Sequence, residues 1–155
     1  KGMRRKFGRD LYELMCNDSN IILITADMGF GMLDKIRNNL TAQFYNVGAS
    51  EQVMMDMAVG MAFSGRIPIT YSITPFLLFR PFEVIRNYIN KEMVPVIMVG
   101  SGRDDNYKYE GFSHFAGDDY ILESLENIVI LKPEGDFDLK EIVYMNKPVY
   151  LNLKR

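Results

Sequence analysis

The 155-residue sequence predicts an α/β fold, a three-layer arrangement of about six parallel strands with helices on both faces. Two observations carry this. Short apolar runs alternate with segments of helical period along the whole chain. Two of those runs, Ile21–Thr25 and 94–100, are unbroken, as in strands covered on both sides.

The elements follow in order. Over 4–17, Phe7, Leu11, Leu14 and Met15 share one helical face. Asn17-Asp-Ser-Asn20 is a turn cluster, and Ile21–Thr25 is the first strand. It ends at Ala26-Asp-Met-Gly-Phe-Gly31, before a helix that includes 33–40. A strand over 44–47 leads into a helix from about residue 50 to about residue 64, with Val53, Met54, Met57, Ala58, Met61 and Ala62 on its apolar face. A third strand is expected over 67–72. Phe82, Ile85 and Ile89 mark a helix over 79–90, and the fourth strand spans 94–100. Residues 101–117 form a long polar loop. Its tyrosines, Phe112 and the lone His114 point to an ordered, ligand-facing role. A short helix (118–125), a strand (128–131), a helix (137–145) and a last strand, Val149–Leu153, complete a single domain spanning 1–155.

Composition narrows the function. A net charge of -2 provides no basic field for nucleic acid. No apolar run reaches the roughly 18 residues of a membrane span, and no signal core follows the basic first residues. The single Cys16 permits no internal disulfide, is expected to pack as a small apolar residue, and fits a cytoplasmic address.

The stretch Phe44-Tyr-Asn-Val-Gly-Ala-Ser-Glu-Gln-Val-Met54 is the most informative. Gly48 permits a sharp turn, Ser50 is placed to cap a helix, and Glu51 falls in the first helical turn just beyond a strand end. Ligands collect at such strand ends in open α/β sheets. An acidic residue also belongs there simply to complement the helix dipole, and spacing alone leaves both readings open. Other motifs fail. Gly29-Phe-Gly31 lacks the third glycine of a dinucleotide fingerprint, there is no P-loop, and one His with one Cys makes no zinc set.

Four motifs in order, Thr25-Ala-Asp-Met28, Asn46-Val-Gly-Ala-Ser-Glu-Gln52, Tyr71-Ser72 with Phe76 and Phe79, and Glu110-Gly-Phe-Ser-His114, closely resemble the pyrimidine-binding domain of the transketolase family, which includes the deoxyxylulose-phosphate synthases. That resemblance implies a thiamine diphosphate-binding, pyrimidine-type fold. It makes Glu51 the acid that shares a proton with N1′ of the aminopyrimidine, favouring the imino form whose 4′-nitrogen can take the C2 proton. It implies a catalytic and sugar-contacting role for His114, and cofactor contacts from Phe76, Phe79, Asp27, Met28 and Thr74. Substrate contacts fall to Glu110, where the family usually has Asp, and to Arg5, Arg103 and Arg155 as candidate phosphate ligands.

The family's diphosphate site, Gly-Asp-Gly followed by Asn, has no match. Gly117-Asp-Asp119 lacks the second Gly, and Asn38-Asn39 lies upstream. The expected Mg2+ or Ca2+ therefore belongs to a separate diphosphate-binding transketolase-like subunit, with which a pair of these chains would form a heterotetramer. The implied activity is transfer of a two-carbon ketol unit between sugars or sugar phosphates. A component of a thiamine-dependent 2-oxo acid decarboxylase or dehydrogenase, and a non-catalytic partner domain that kept the fold, are the alternatives.

Overall fold

The computed structural model describes residues 2–103, 106–115, 117 and 119–154. The elements run α1 (Met3–Asn17), β1 (Ile21–Thr25), α2 (Asp34–Asn39), β2 (Phe44–Asn46), α3 (Glu51–Phe63), β3 (Ile67–Ile73), α4 (Thr74–Phe79) and α5 (Phe82–Val84). α5 runs directly into a π-helical turn, Ile85–Lys91. β4 (Ile97–Ser101), two 3₁₀ turns (Lys108–Glu110 and Phe112–His114), α6 (Asp119–Leu122), β5 (Val129–Leu131), α7 (Leu139–Val143) and β6 (Val149–Leu153) follow.

The six strands form one sheet in the order β2-β1-β3-β4-β6-β5. Every pairing is parallel. Side chains of successive strand residues leave the sheet on opposite faces, and the two cores follow that alternation. Ile22, Ile24, Met98 and Tyr150 pack with α3, α4, α6 and the 84–89 segment. Ile21, Leu23, Ile97, Val99 and Leu151 pack with α1, α2 and α7. The sheet is thus covered on both faces, as the unbroken apolar runs predict.

β1 lies between β2 and β3, so the chain crosses β1 on its way from β2 to β3. This reversal of strand order opens a crevice at the C-terminal ends of β1 and β3. Two features close the backbone tightly around it. Gly48, at φ 73°, takes the left-handed turn between β2 and α3. Gly100 lets the start of α4 approach β4, because a Cβ there would come within 2.7 Å of Thr74 Oγ1.

Three expectations are corrected. The helix expected over 79–90 is two helices broken at Arg80 and Pro81. Pro81 has no N–H to continue the ladder, and a new helix starts behind it, with Ile85 N–H bonding to the Pro81 carbonyl. Cys16 is exposed rather than packed. The buried stripe of α3 is Glu51, Met54, Met55, Ala58 and Val59, and Val53 faces out. No helix among the described residues is long and apolar enough to cross a membrane.

Candidate active site

The phase of α3 determines where Glu51 points. Residues three, four, seven and eight positions on, Met54, Met55, Ala58 and Val59, are all buried, and Glu51 shares their face. Its side chain is only 2% exposed. A carboxylate so buried needs partners. Ser72, the residue before the end of β3, donates to Oε1 at 2.9 Å. Arg80, in the break between α4 and α5, donates to Oε2 at 2.6 Å. Ser50 takes the N-cap position without a side-chain capping bond, so the start of this helix is held by its surroundings.

From Glu51 a chain of contacts leads outward. The Arg80 guanidinium lies 3.9 Å from the centroid of the Phe76 ring, a cation–π distance. Phe76 meets the His114 ring edge-on at 4.8 Å. His114 is half-buried, with Nδ1 at 3.2 Å from Ser113 Oγ. Phe79 is 39% exposed and tilts against Tyr120 at 5.9 Å. Acid, guanidinium, aromatic ring and imidazole therefore follow one another in contact, with the acid buried and the guanidinium the most exposed of the four.

β3 has a second polar cluster on its opposite face. Tyr71, adjacent to Ser72, points the other way, is 2% exposed and stacks on Phe7 at 5.9 Å. Arg4 donates from Nη1 to Ser101 Oγ and to Tyr107 Oη, each at 3.0 Å. Burial pushes the Tyr71 hydroxyl above its ordinary value, and its hydrogen bond with Ser101 and the nearby Arg4 charge pull the other way. Beside this cluster opens a cleft of about 1230 Å³, lined by Arg4, Arg5, Arg9, Met28, Lys35 and Tyr107 among others.

The remaining candidates are distributed as follows. Asp27 is exposed, with a left-handed φ of 54°. Asn46 Oδ1 accepts both its N–H (2.9 Å) and that of Gly48 (3.0 Å), tying the β1 and β2 turns together. Met28 packs against the α1-side core. Thr74 is fully buried and donates to Asn152 Oδ1 at 3.3 Å, so its hydroxyl is engaged inside the core. Glu110 and Arg5 are exposed. Arg103 turns to the far edge of the sheet, where it bonds Glu134 at 3.2 Å and the Pro133 carbonyl. Arg155 and Asp118 lie outside the described residues.

Arg80 and Arg4 receive no role from the sequence, Asn46 is read only as the first residue of a motif, and Tyr107 only as one of the loop tyrosines. The one available signal for Arg80 was its position, a cation directly after the apolar run 75–79. Among the described residues no group of three or more His, Cys, Asp or Glu is placed to hold a metal ion.

A six-stranded parallel sheet with a buried, hydrogen-bonded carboxylate at its switch point defines an open α/β domain covered by helices on both faces. The chain belongs to the transketolase pyrimidine-binding domain family, whose model ("Transketolase, pyrimidine binding domain") matches residues 2–154. It is 29% identical over 161 residues to a Methanocaldococcus jannaschii protein named "Putative transketolase C-terminal section", covering 100% of this chain and 51% of that one. It is 30% identical over 159 residues to the 1-deoxy-D-xylulose-5-phosphate synthase of Cyanothece sp., covering 96% of this chain and 24% of the relative. Among solved structures it resembles a split-gene transketolase described as an inactive β4 tetramer, with a TM-score of 0.83 and 26% identity over 99% of this chain and 51% of that one. The chain thus spans about half the length, or less, of these relatives.

Proposed function

We propose that this chain is the pyrimidine-binding part of a split, thiamine diphosphate-dependent transketolase-like enzyme that transfers a two-carbon ketol unit between sugars, with sugar phosphates as the favoured class. The observation that carries this reading is the buried Glu51 carboxylate, held by Ser72 and Arg80 at the strand-end crevice. Its fit to the cofactor is partial in an informative way. A buried carboxylate with the Phe76 ring one contact away across Arg80, and Phe79 exposed on the same helix, suits a flat basic heterocycle. The described residues provide no acidic cluster for the metal of a diphosphate.

In this reading Glu51 holds and exchanges a proton at the ring nitrogen N1′, and Ser72 orients the carboxylate. Phe76 and Phe79 border the ring and exclude water. His114 and Glu110 meet the sugar hydroxyls, Asp27 and Met28 line the approach from β1, and Thr74 sets the start of α4. Arg5, with Arg103 and Arg155 as further candidates, receives the substrate phosphate. When bound, thiamine diphosphate supplies the electron sink for the transferred unit. Mg2+ or Ca2+ and the diphosphate are held by a separate diphosphate-binding subunit. Two copies of each chain make a heterotetramer, and the assembly works in the cytoplasm.

Co-expression with a diphosphate-binding transketolase-like chain tests this, using a panel of ketose phosphates and a 2-oxo acid as donors. Ketol transfer that needs both chains, with negligible cofactor binding by this chain alone, is expected. Tight, metal-dependent thiamine diphosphate binding by the isolated chain would overturn the split-site reading. Turnover of the 2-oxo acid alone would reassign the donor.

A further inference from the structure

Both oxygens of the Glu51 carboxylate are already engaged, and the two donors differ in kind. Ser72 belongs to β3 and is fully buried. Its hydroxyl is enclosed in the core beside the carboxylate. Arg80 stands in the break between two helices, and its side chain is 46% exposed against 2% for Glu51. The guanidinium is therefore the group between the carboxylate and solvent. It also has somewhere to go, because it already lies on the face of Phe76.

We infer that Arg80 is a positioning residue that acts as a latch. It closes on Glu51 Oε2 while no ring is bound, and withdraws along Phe76 when a ring nitrogen takes its place at the carboxylate. The inference rests on the reading of Glu51 as the ring-binding acid. Its physical basis is that a buried carboxylate left with one neutral hydroxyl donor is costly, and Arg80 supplies the charged partner in the empty chain. The ring must then displace an ion pair, so the latch lowers ring affinity.

A double-mutant cycle on the assembled two-chain enzyme tests this by calorimetry, with thiamine diphosphate and Mg2+ as the probe. Arg80→Gln should tighten binding by roughly three- to tenfold in the enzyme carrying Glu51, the scale of a partly exposed ion pair. It should have no effect in the Glu51→Gln enzyme, where the pair is already gone. Arg80→Lys, which keeps the charge but loses the planar fork and the stacking on Phe76, should tighten binding less, and it stands in if the Gln variant does not assemble. Weaker or unchanged binding in both Arg80 variants overturns the latch. An Arg80 effect of equal size with and without Glu51 also overturns it. If Glu51→Gln instead leaves hydrogen exchange at C2 of bound cofactor at the wild-type rate, the underlying reading of Glu51 fails, a result the calorimetric cycle does not produce.

Discussion

The two polar clusters at the end of β3 are built from adjacent residues and have opposite characters. On one face Ser72 serves a buried acid whose one charged partner among the described residues, Arg80, is half out in solvent. On the other, Tyr71 sits beneath a half-buried Arg4 that bonds two hydroxyls, Ser101 and Tyr107. The difference lies in what each cluster loses when one member is removed. Ser101 and Tyr107 are 3.4 Å apart and can bond each other without Arg4. Glu51 has no such neighbour among the bonds described. The arginine face is self-satisfying, whereas the acid face stays balanced only while every donor is in place, which suits the exchange of partners proposed for Glu51.

Substitutions sharpen this contrast, and their expected effects on stability fall in order. The largest acts on the floor of the arginine face. Phe7→Ala empties a fully buried site under Tyr71 and should cost about 3–5 kcal/mol in denaturant unfolding. Ser72→Ala comes next, at about 1.5–3 kcal/mol, because it strips a hydrogen bond from a buried carboxylate. Arg4→Met should cost less, about 0.5–1.5 kcal/mol, since its two acceptors remain near each other. If Arg4→Met proved costlier than Ser72→Ala, the contrast would be reversed.

The smallest effect depends on pH. The folded-state pKa of Tyr71 is raised above its ordinary value of 10.0, first by burial. Its contribution to stability is therefore complete below about pH 10 and is lost as pH rises through the folded value, because the unfolded state releases the proton first. Stability should therefore fall less steeply across alkaline pH in Tyr71→Phe than in wild type, with the difference between them constant below about pH 10 and shrinking above it, as followed by denaturant unfolding.

The sheet was legible in the sequence because its signals are local. Unbroken apolar runs such as Ile21–Thr25 have no reading other than a covered strand in a chain that alternates so regularly. The place of Glu51 in the first turn of a helix just past a strand was legible from local spacing. Its surroundings were less so. A carboxylate carries no apolar signal, so the spacing of Met54 and Ala58 does not announce that Glu51 shares their buried face. The Arg80–Pro81 break was hidden because Phe79, Phe82, Ile85 and Ile89 keep an apolar rhythm across it. Arg4 and Arg5 cannot be told apart by pattern. Only the packing of α1 on the sheet decides which of the two reaches Ser101. Partners 21 to 103 residues apart, such as Glu51 with Ser72 or Arg4 with Tyr107, leave no local trace.

The central claim is that Glu51 is a proton-exchanging acid rather than a residue that merely starts a helix. Hydrogen–deuterium exchange at C2 of thiamine diphosphate bound to the assembled enzyme tests it most directly. Glu51→Gln keeps the shape and one hydrogen bond but cannot exchange the proton. It should leave the fold and much of the cofactor binding intact while slowing C2 exchange by about 10²–10⁴-fold. Exchange at the wild-type rate in that variant would contradict the account.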